Sequence, residues 1–212
     1  MCLALIGFDQ VNGRMKNHIS KVNPGSRGFT LVEILVVMTI IFILAGVAIP
    51  AGIKVNERAR IKSAHQTAVQ LATGISSYQT EYRRLPIETG RLGETDVLLE
   101  TDEVLMGILL GAEKNRNNPT RTVFFNGTKN ATGRPPKDGL AFNNDGSGRL
   151  YDPWGNLYRV MMDSDHNQRI EPPFRKRQLV GANIVAKDIV VWSLGPDGEE
   201  TGDGTKDNIC TW

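Results

Sequence analysis

Residues 27–50 read RGFTLVEILVVMTIIFILAGVAIP, and this stretch determines the architecture of the chain. From Phe29 onward it is apolar, with Glu33 as its one charged residue. A helix needs an apolar run of about 20 residues to cross a bilayer. We therefore predict that residues 29–53 form the membrane-spanning half of a long helix, and that residues 1–28 are a basic leader.

The leader places its positive charges before the apolar run. It carries Arg14, Lys16, Lys21 and Arg27, and by the positive-inside rule the side that holds such residues is cytoplasmic. The chain after the span is then expected to face outward. Met15 is a second candidate for the true start, because the residues before it add an apolar patch and little else.

Glu33 is the residue of this stretch that most needs an explanation. A carboxylate left without a partner in an apolar layer costs several kcal/mol, so we expect it to be paired, unless it lies at headgroup level and stays hydrated.

An ordinary secretory signal is a separate alternative for the whole stretch. Small residues at Gly46 and Ala48 have the spacing of a signal-peptidase site, and Ile49 would then begin the mature chain.

The helix is expected to continue beyond the apolar run. Charged residues follow Pro50, while apolar residues recur at steps of three and four, which is one face of a helix. These apolar residues are Ala64, Ala68, Leu71, Ile75, Tyr78, Tyr82 and Leu85. Pro50 also crowds the carbonyl of Gly46, so a kink is predicted there. The helix is predicted to run from Phe29 to Arg84, ending before Pro86, with residues 54–85 as its amphipathic half.

Residues 86–150 are predicted to be a variable region of short elements. One or two short helices are predicted at 97–99 and 104–110, and their signals are two possible N-caps and a glycine stop. The caps and the stop are Asp96, Asp102 and Gly111. A strand is predicted at 121–125. The Gly-, Asn- and Pro-rich residues 126–149 are predicted to be a long surface loop.

Residues 151–212 are predicted to be mostly β. A turn at 151–156 combines proline with glycine and asparagine, strands are predicted at 157–162 and 187–194, and Cys210 is expected to be buried in a last strand. The fold class is therefore α+β. A long N-terminal helix, amphipathic in its outer half, packs against a small C-terminal antiparallel sheet.

The composition argues against nucleic-acid binding and against catalysis. The 212 residues hold 25 Lys and Arg against 23 Asp and Glu, and the short basic run at 175–177 is interpreted as a solvated loop. The three histidines, His18, His65 and His166, are scattered, and no Ser/His/Asp or Cys/His grouping can be assembled. We therefore predict that the protein is not an enzyme.

Two acidic loops are candidate metal sites. The loop at 163–170 has oxygen donors at alternate positions, as in the front half of an EF-hand, on Asp163, Asp165 and Asn167. It departs from that pattern at Gln168 and Phe174, where glycine and glutamate are expected. This loop is the second choice, and the alternative is a solvated hairpin turn.

The first choice is the loop at 194–209. It is rich in glycine and in carboxylates, and these provide the hard oxygen donors that Ca²⁺ prefers. A flexible acidic turn, ordered by its own backbone hydrogen bonds, is the alternative at this position.

The residues from Gly28 to Glu33, followed by the apolar run, resemble the processing site of type IV prepilins and of type II secretion pseudopilins. The resemblance implies cleavage after Gly28 by a prepilin peptidase. It also implies that the same enzyme, acting as a methyltransferase, then methylates the N-terminal amine of Phe29. It further implies that Glu33 pairs with the Phe29 amine of a neighbouring subunit, and that a subunit carrying this acid belongs to the main body of the filament. Residues 29–53 are then the assembly half of the helix. Pro50 is assigned an assembly role with Phe29 and Glu33, because the segment around it would melt in a filament to allow packing; a plain bend in a lone membrane anchor is the alternative.

The C-terminal third resembles the major pseudopilins of type II secretion. The resemblance rests on Asp-Pro-Trp-Gly-Asn-x-Tyr from Asp152, on Ser-Leu-Gly-x-Asp-Gly from Ser193, and on the closing Trp212. It implies a pilin-like fold and a Ca²⁺ site. The implied ligands are the side chains of Asp197, Asp203 and Asp207 and the carbonyl of Leu194. Residues 86–150 are not covered by the resemblance.

The function implied is that of a structural subunit of a type II secretion pseudopilus or type IV pilus-like filament, which supports protein secretion across the outer membrane. The implied partners are the peptidase, further copies of the chain, other pseudopilins, an inner-membrane assembly platform and the membrane itself. The implied location is the inner membrane, single-pass with the C-terminal domain in the periplasm, and then a periplasmic filament. The alternative is an uncleaved, membrane-tethered periplasmic protein that binds calcium.

Overall fold

A computed structural model of the protein describes residues 28–87, 95–112, 116–127, 129–174, 184–200 and 207–212, without the side chains of residues 47–54. Residues 1–27 of the leader, with the alternative start at Met15, lie outside the described residues, as does the basic run at 175–177. The chain divides into two compact units, Met1–Ala48 and Ile49–Trp212.

Helix α1, Leu31–Tyr82, begins and ends within two residues of the predicted Phe29 and Arg84. The helix is continuous through Gly46 and Pro50. The kink at this position stays a prediction. The helix ends where Arg83 adopts a positive φ of 54°, the left-handed conformation that commonly closes a helix. Among the described residues, no helix combines the length and apolar character needed to cross a membrane.

The amphipathic stripe of α1 forms the main core of the second unit. Ala64, Ala68, Leu71, Ile75 and Tyr78 are each 0% exposed, as the spacing predicted. Four of them share one hydrophobic cluster with sheet residues that include Val160, Met162 and Val191. The predicted packing of the sheet on the outer half of the helix is confirmed.

The remaining elements form two antiparallel sheets and one short helix. In chain order they are β1 Val97–Glu100, α2 Glu103–Leu109, β2 Gly139–Phe142, β3 Gly148–Tyr151, β4 Arg159–Met162, β5 Ile189–Ser193 and β6 Ile209–Cys210. The larger sheet has the order β1-β4-β5-β6, and β2 and β3 form a separate hairpin. The α+β fold class is confirmed. The observed β4 and β5 are shorter than the predicted strands at 157–162 and 187–194.

The larger sheet is covered on its second face as well. Ile170, Phe174, Val185 and the C-terminal Trp212 pack there around Trp192 of β5. The rings of Phe174 and Trp212 lie 5.4 and 5.9 Å from that of Trp192. Every residue of β5 is therefore buried, and Cys210 of β6 is buried as predicted, at 4% exposure.

The predicted helix at 97–99 is wrong, because these residues form β1. Residues 97–100 alternate between half-buried and exposed and pair with β4, Leu98 opposite Met161. Asp96 therefore caps no helix. The second helix is confirmed as α2, and Asp102 is its N-cap, accepting hydrogen bonds from the N–H groups of Val104 and Leu105 at 3.0 Å each.

Two further predictions in the variable region are wrong. Residues 121–125 do not form a strand, because the N–H groups of Phe124 and Phe125 both donate to the carbonyl of Leu109 at the end of α2. Residues 126–149 are not one loop, since they contain β2 and the start of β3. Leu140 and Leu150 lie opposite each other in that hairpin, and both are buried.

Candidate functional site

The predicted processing site is open at the start of the described chain. Gly28 is exposed, and a Cβ placed on it would meet no atom within 4 Å. Phe29 is 76% exposed. A peptidase therefore meets no obstruction from the described part of the same chain at the Gly28–Phe29 bond.

Glu33 caps its own helix in the single chain. The Thr30 N–H and the Thr30 hydroxyl each donate to Glu33 Oε2 at 2.8 Å, and the Glu33 N–H donates to Thr30 Oγ1 at 3.2 Å. This reciprocal arrangement is a capping box. The carboxylate thus has partners before any neighbour arrives, and its pairing with a neighbouring Phe29 amine stays a prediction.

The first turns of α1 present an apolar surface on every side. From Leu31 to Leu44, every Leu, Val, Ile, Met and Phe side chain is at least 47% exposed. Exposed apolar surface of this extent on a helix marks a site of protein or membrane contact. The assembly role assigned to Pro50 stays a prediction, since its side chain lies outside those described.

The acidic loop after β5 is anchored by a buried carboxylate, Asp152, which is 0% exposed. Its Oδ1 accepts hydrogen bonds from the N–H groups of Trp154, Gly155 and Asn156 at 2.7 to 2.9 Å. Its Oδ2 accepts from the Asn156 amide at 3.2 Å and from the Ser193 hydroxyl at 2.7 Å. One carboxylate therefore ties the turn at 152–156 to the end of β5.

The same groups hold the first residues of the acidic loop. The Asn156 amide donates to the Gly195 carbonyl at 2.8 Å, and the Gly195 N–H donates to Ser193 Oγ at 3.1 Å. Gly195 has a φ of 76°, and a Cβ there would lie 2.6 Å from the Asp207 carbonyl oxygen. Glycine is needed here, because a side chain would push the two ends of the loop apart.

Two of the predicted metal ligands, Asp197 and Asp207, lie close enough to interact. Burial and the charge of Asp197 raise the pKa of the Asp207 carboxyl, which is what two carboxylates near each other produce. Asp207 Oδ1 is buried with no hydrogen-bond partner among the described residues. This orphaned oxygen fits a cation site. Leu194 is 7% exposed at the start of the loop, and Asp203 lies outside the described residues.

The side chains that position this loop were not predicted from the sequence. Asp152, Asn156 and Ser193 fix the loop on both sides of Leu194 through their hydrogen bonds. The signal was present in the turn itself, since an aspartate that precedes Pro-x-Gly-Asn commonly accepts hydrogen bonds from the backbone of its own turn. The participation of Ser193 depends on strand pairing and could not be read from the turn.

The second acidic loop gathers a residue that the sequence analysis did not assign to it. Carboxylate oxygens of Asp96, Asp163 and Asp165 lie within 4.8 Å of one another. Burial and the charges of Asp165 and Asp163 raise the pKa of Asp96. The Asn167 side chain instead donates to Asp165 Oδ2 at 2.7 Å, so its nitrogen, which is not a cation ligand, faces the cluster. Asp96 was missed because it is distant in sequence and precedes β1.

Comparison with known proteins supports the processing motif. Residues 23–49 match the family model of the prokaryotic N-terminal methylation motif. Among curated relatives, the chain is 41% identical over 66 residues to the type IV major pilin protein PilA of Myxococcus xanthus, covering 31% of this chain and 30% of that protein. No solved structure matches.

Two further relatives extend the similarity. The chain is 44% identical over 59 residues to the competence protein ComGC of Halalkalibacterium halodurans, covering 28% of this chain and 58% of that protein. It is 26% identical over 190 residues to the type II secretion system core protein G of Escherichia coli, covering 88% of this chain and 90% of that protein. The match therefore spans less than two thirds of PilA and ComGC and most of core protein G.

The N-terminal motif, the helix-plus-sheet architecture and these relatives point to one kind of protein. The motif and the short matches lie in the N-terminal region, whereas the match to core protein G extends over most of the chain. The chain is therefore similar to type IV pilins in its N-terminal region and to a type II secretion pseudopilin over most of its length.

Proposed function

We propose that the protein is a structural, non-enzymatic subunit of a type II secretion pseudopilus or type IV pilus-like filament. The precursor is cut after Gly28 by a prepilin peptidase, methylated at Phe29 and assembled through its N-terminal helix. The single observation that carries this proposal is the methylation motif matched at residues 23–49. The filament supports protein secretion across the outer membrane.

Exposed apolar side chains at the start of α1 support assembly through this helix. From Leu31 to Leu44 these side chains are at least 47% exposed, and packing against neighbouring helices would bury them. In the membrane, lipid would cover these side chains, and packing against neighbouring helices would replace those lipid contacts in the filament. Before assembly, the proposed location is the inner membrane, with the C-terminal domain in the periplasm.

The proposed partners follow from the same route. They are the prepilin peptidase, which also methylates, further copies of the chain, other pseudopilins and an inner-membrane assembly platform. The competing function is a membrane-tethered calcium-binding periplasmic protein that is never cleaved. The two functions differ in whether the Gly28–Phe29 bond is cut and whether the chain forms filaments.

The variant Glu33→Gln tests the charge pairing on which the proposed filament assembly depends. Glutamine can occupy the same position of a capping box, so the helix start is retained while the negative charge is lost. If Glu33 pairs with a neighbouring Phe29 amine, E33Q is processed and methylated normally but yields no filaments that sediment from sheared cells. Filaments at the unaltered level would refute the charge-pairing step.

Thr30→Ala is the matched control for the cap. It removes the hydroxyl that bonds Glu33 and costs the helix start about 0.5–2 kcal/mol, but it leaves the carboxylate charged. We expect T30A to retain filaments. Loss of filaments in T30A together with normal assembly of E33Q would show that the cap, and not the charge, is what assembly requires.

We also propose that the loop at 194–207 binds Ca²⁺ through the carboxylates of Asp197, Asp203 and Asp207 and the carbonyl of Leu194. The orphaned buried Oδ1 of Asp207 supports this assignment. Bound Ca²⁺ would neutralise carboxylates that otherwise repel each other. Asp152, Asn156 and Ser193 hold the start of the loop in place for it.

Thermal unfolding of the full chain with Ca²⁺ or with chelator tests this site. At a free Ca²⁺ concentration of about 100 times Kd, binding stabilises by about 2.7 kcal/mol, which corresponds to roughly 5–11 °C for a domain of this size. Replacing both Asp197 and Asp207 with Asn is expected to abolish the shift. Asp165→Asn, in the second acidic loop, is the control and should retain it. The opposite pattern would place the ion at the second loop.

A further inference from the structure

A groove with a basic rim lies between the outer half of α1 and β6, within the second unit. It has a volume of about 430 Å³. We call it the basic groove. Its lining includes Arg58, Ile61, Lys62, His65, Ile209 and Cys210.

The helical side of the basic groove is one continuous face. Arg58, Ile61, Lys62 and His65 follow the spacing i, i+3, i+4, i+7, which places them on the same side of a helix. All four are exposed. Among the described residues, the recorded ion pairs involve none of the three basic side chains.

The floor of the basic groove is apolar. Ile61 is 43% exposed, whereas Ile209 and Cys210 of β6 are 8% and 4% exposed. An apolar floor beneath a cationic rim suits a protein loop that carries negative charge, because the rim attracts the loop while its stem covers the floor.

A matching acidic surface exists elsewhere on the same chain. Asp96, Asp163 and Asp165 form the carboxylate cluster described above, which we call the acidic edge. Asp165 is exposed at the loop tip and Asp96 is half-buried. Asp163 is 2% exposed and lies behind them, where it accepts hydrogen bonds from the N–H groups of Asn167 and Gln168. None of the ion pairs recorded among the described residues involves these carboxylates, so the cluster has net negative charge that is not balanced there by a basic side chain.

The two surfaces lie at diagonally opposite corners of the larger sheet. β6 is one edge strand and β1 is the other. Asp96 and Asp163 flank the end where Val97 pairs with Met162, whereas β6 pairs with the far end of β5, at Trp192 and Ser193. The acidic edge therefore cannot enter the basic groove of its own chain.

We propose that the acidic edge of one copy docks into the basic groove of the next copy. This inference rests on the proposed function, and it names a contact between the globular parts of neighbouring subunits. Because the two surfaces differ, the contact is heterologous, and heterologous contacts that do not close into a ring generate open helical assemblies. The occupant of the basic groove is thus a second copy of this chain.

Charge reversal in the full chain tests the pairing. Lys62→Glu and Asp165→Lys are each expected to reduce sedimented filaments about tenfold or more, because like charges then oppose each other. The combined variant restores the attraction and should recover assembly. Arg60→Glu and Glu81→Lys are controls on exposed positions of α1 outside the groove lining, and both should assemble normally. Failure of the combined variant to exceed the single variants would overturn the pairing.

Oxidative cross-linking provides a second readout that does not depend on charge. Ile61→Cys in the basic groove and His166→Cys beside Asp165 are introduced into a full chain in which Cys2 and Cys210 are Ala. The double variant is expected to give a ladder of dimers, trimers and higher species, whereas each single variant gives monomer. Dimers from one single variant would indicate a symmetric contact and would overturn the proposal.

The N-terminal mass of the same samples distinguishes a failure of the docking contact from a failure of the proposed filament function. Processed, methylated Phe29 without a ladder would overturn the docking of acidic edge on basic groove and would leave the proposed filament function standing. A ladder in chains whose Gly28–Phe29 bond is intact would support the docking and would contradict the proposed processing route.

Discussion

Removal of the Asp152 carboxylate is expected to be among the most damaging single changes to the folded domain. Asp152 is 0% exposed and accepts five hydrogen bonds from the turn at 152–156 and from Ser193. Asp152→Ala leaves all five donors without this acceptor. It also releases the tie between that turn and the start of the acidic loop.

The magnitude follows from where the donors lie. A hydrogen bond to a charged group contributes about 1.5–3 kcal/mol. The three backbone donors belong to half-buried residues that water can reach after the change, whereas Ser193 is 0% exposed. We therefore expect a net loss of about 3–5 kcal/mol, a value typical of breaking a buried polar network. That is a large part of the 5–15 kcal/mol that stabilises a typical domain.

Urea unfolding of the purified full chain, followed by circular dichroism, measures this loss. Asp152→Asn keeps an oxygen for the three backbone donors but turns an amide towards Asn156 and Ser193, so it should fall between the unaltered chain and D152A. Asp138→Asn is the surface control. It removes an ion pair with Lys129 and should cost less than about 1 kcal/mol. A loss below about 1 kcal/mol for D152A would show that the Asp152 carboxylate does not hold the turn at 152–156 to the end of β5.

Three other changes test the packing and electrostatics. Gly74→Ala places a Cβ 2.7 Å from the Phe124 carbonyl oxygen and should cost about 1–3 kcal/mol in urea unfolding, whereas Gly46→Ala meets nothing within 4 Å and should be neutral or stabilising. Leu71→Ala removes a fully buried side chain and should cost about 2–5 kcal/mol. The pKa of the Asp207 carboxyl is raised in the calcium-free fold, so protonation of this group favours the folded state. This contribution is fully present below the ordinary pKa of 3.8 and is lost as the pH rises through the raised pKa. The stability difference between the unaltered chain and Asp207→Asn, measured in chelator, should therefore depend on pH in that range, and a constant difference would contradict the raised pKa.

The sequence predicted the elements whose signal is periodic and long. The helix was predicted because Ala64, Leu71, Ile75 and Tyr78 repeat at helical spacing over several turns, and all four are buried. The end of the helix followed from the proline at 86. The Asp102 cap was equally local, since its donors lie two and three residues along the chain.

The errors fall where tertiary pairing overrides a short local signal. The apolar triplet at 97–99 fits a helix or a strand, and only the partner β4 decides between them. The hairpin of β2 and β3 was hidden because glycine and asparagine dominate the residues around its two buried leucines. Phe124 and Phe125 have strand-like side chains, but their N–H groups donate to the end of α2.

The candidate site was predictable in its ligand types but not in its support. Carboxylates among glycines indicated a cation loop, whereas the role of Asp152 needs the pairing of β4 with β5 to bring Ser193 near. Asp96 shows the same limit, because only the pairing of β1 with β4 places it beside Asp163. Glu33 shows a different limit of prediction from the sequence. The local Thr-x-x-Glu pattern gives its carboxylate a partner within the chain, which the argument from the apolar layer alone had not supplied.

The most direct test of the central claim is the intact mass and N-terminal sequence of the protein recovered from its native cells. We expect a chain that begins at Phe29 and carries one methyl group on its N-terminal amine. A chain with the Arg27–Gly28–Phe29 segment intact would contradict this expectation in favour of a tethered protein. A chain beginning at Ile49 would contradict it in favour of an ordinary secretory signal.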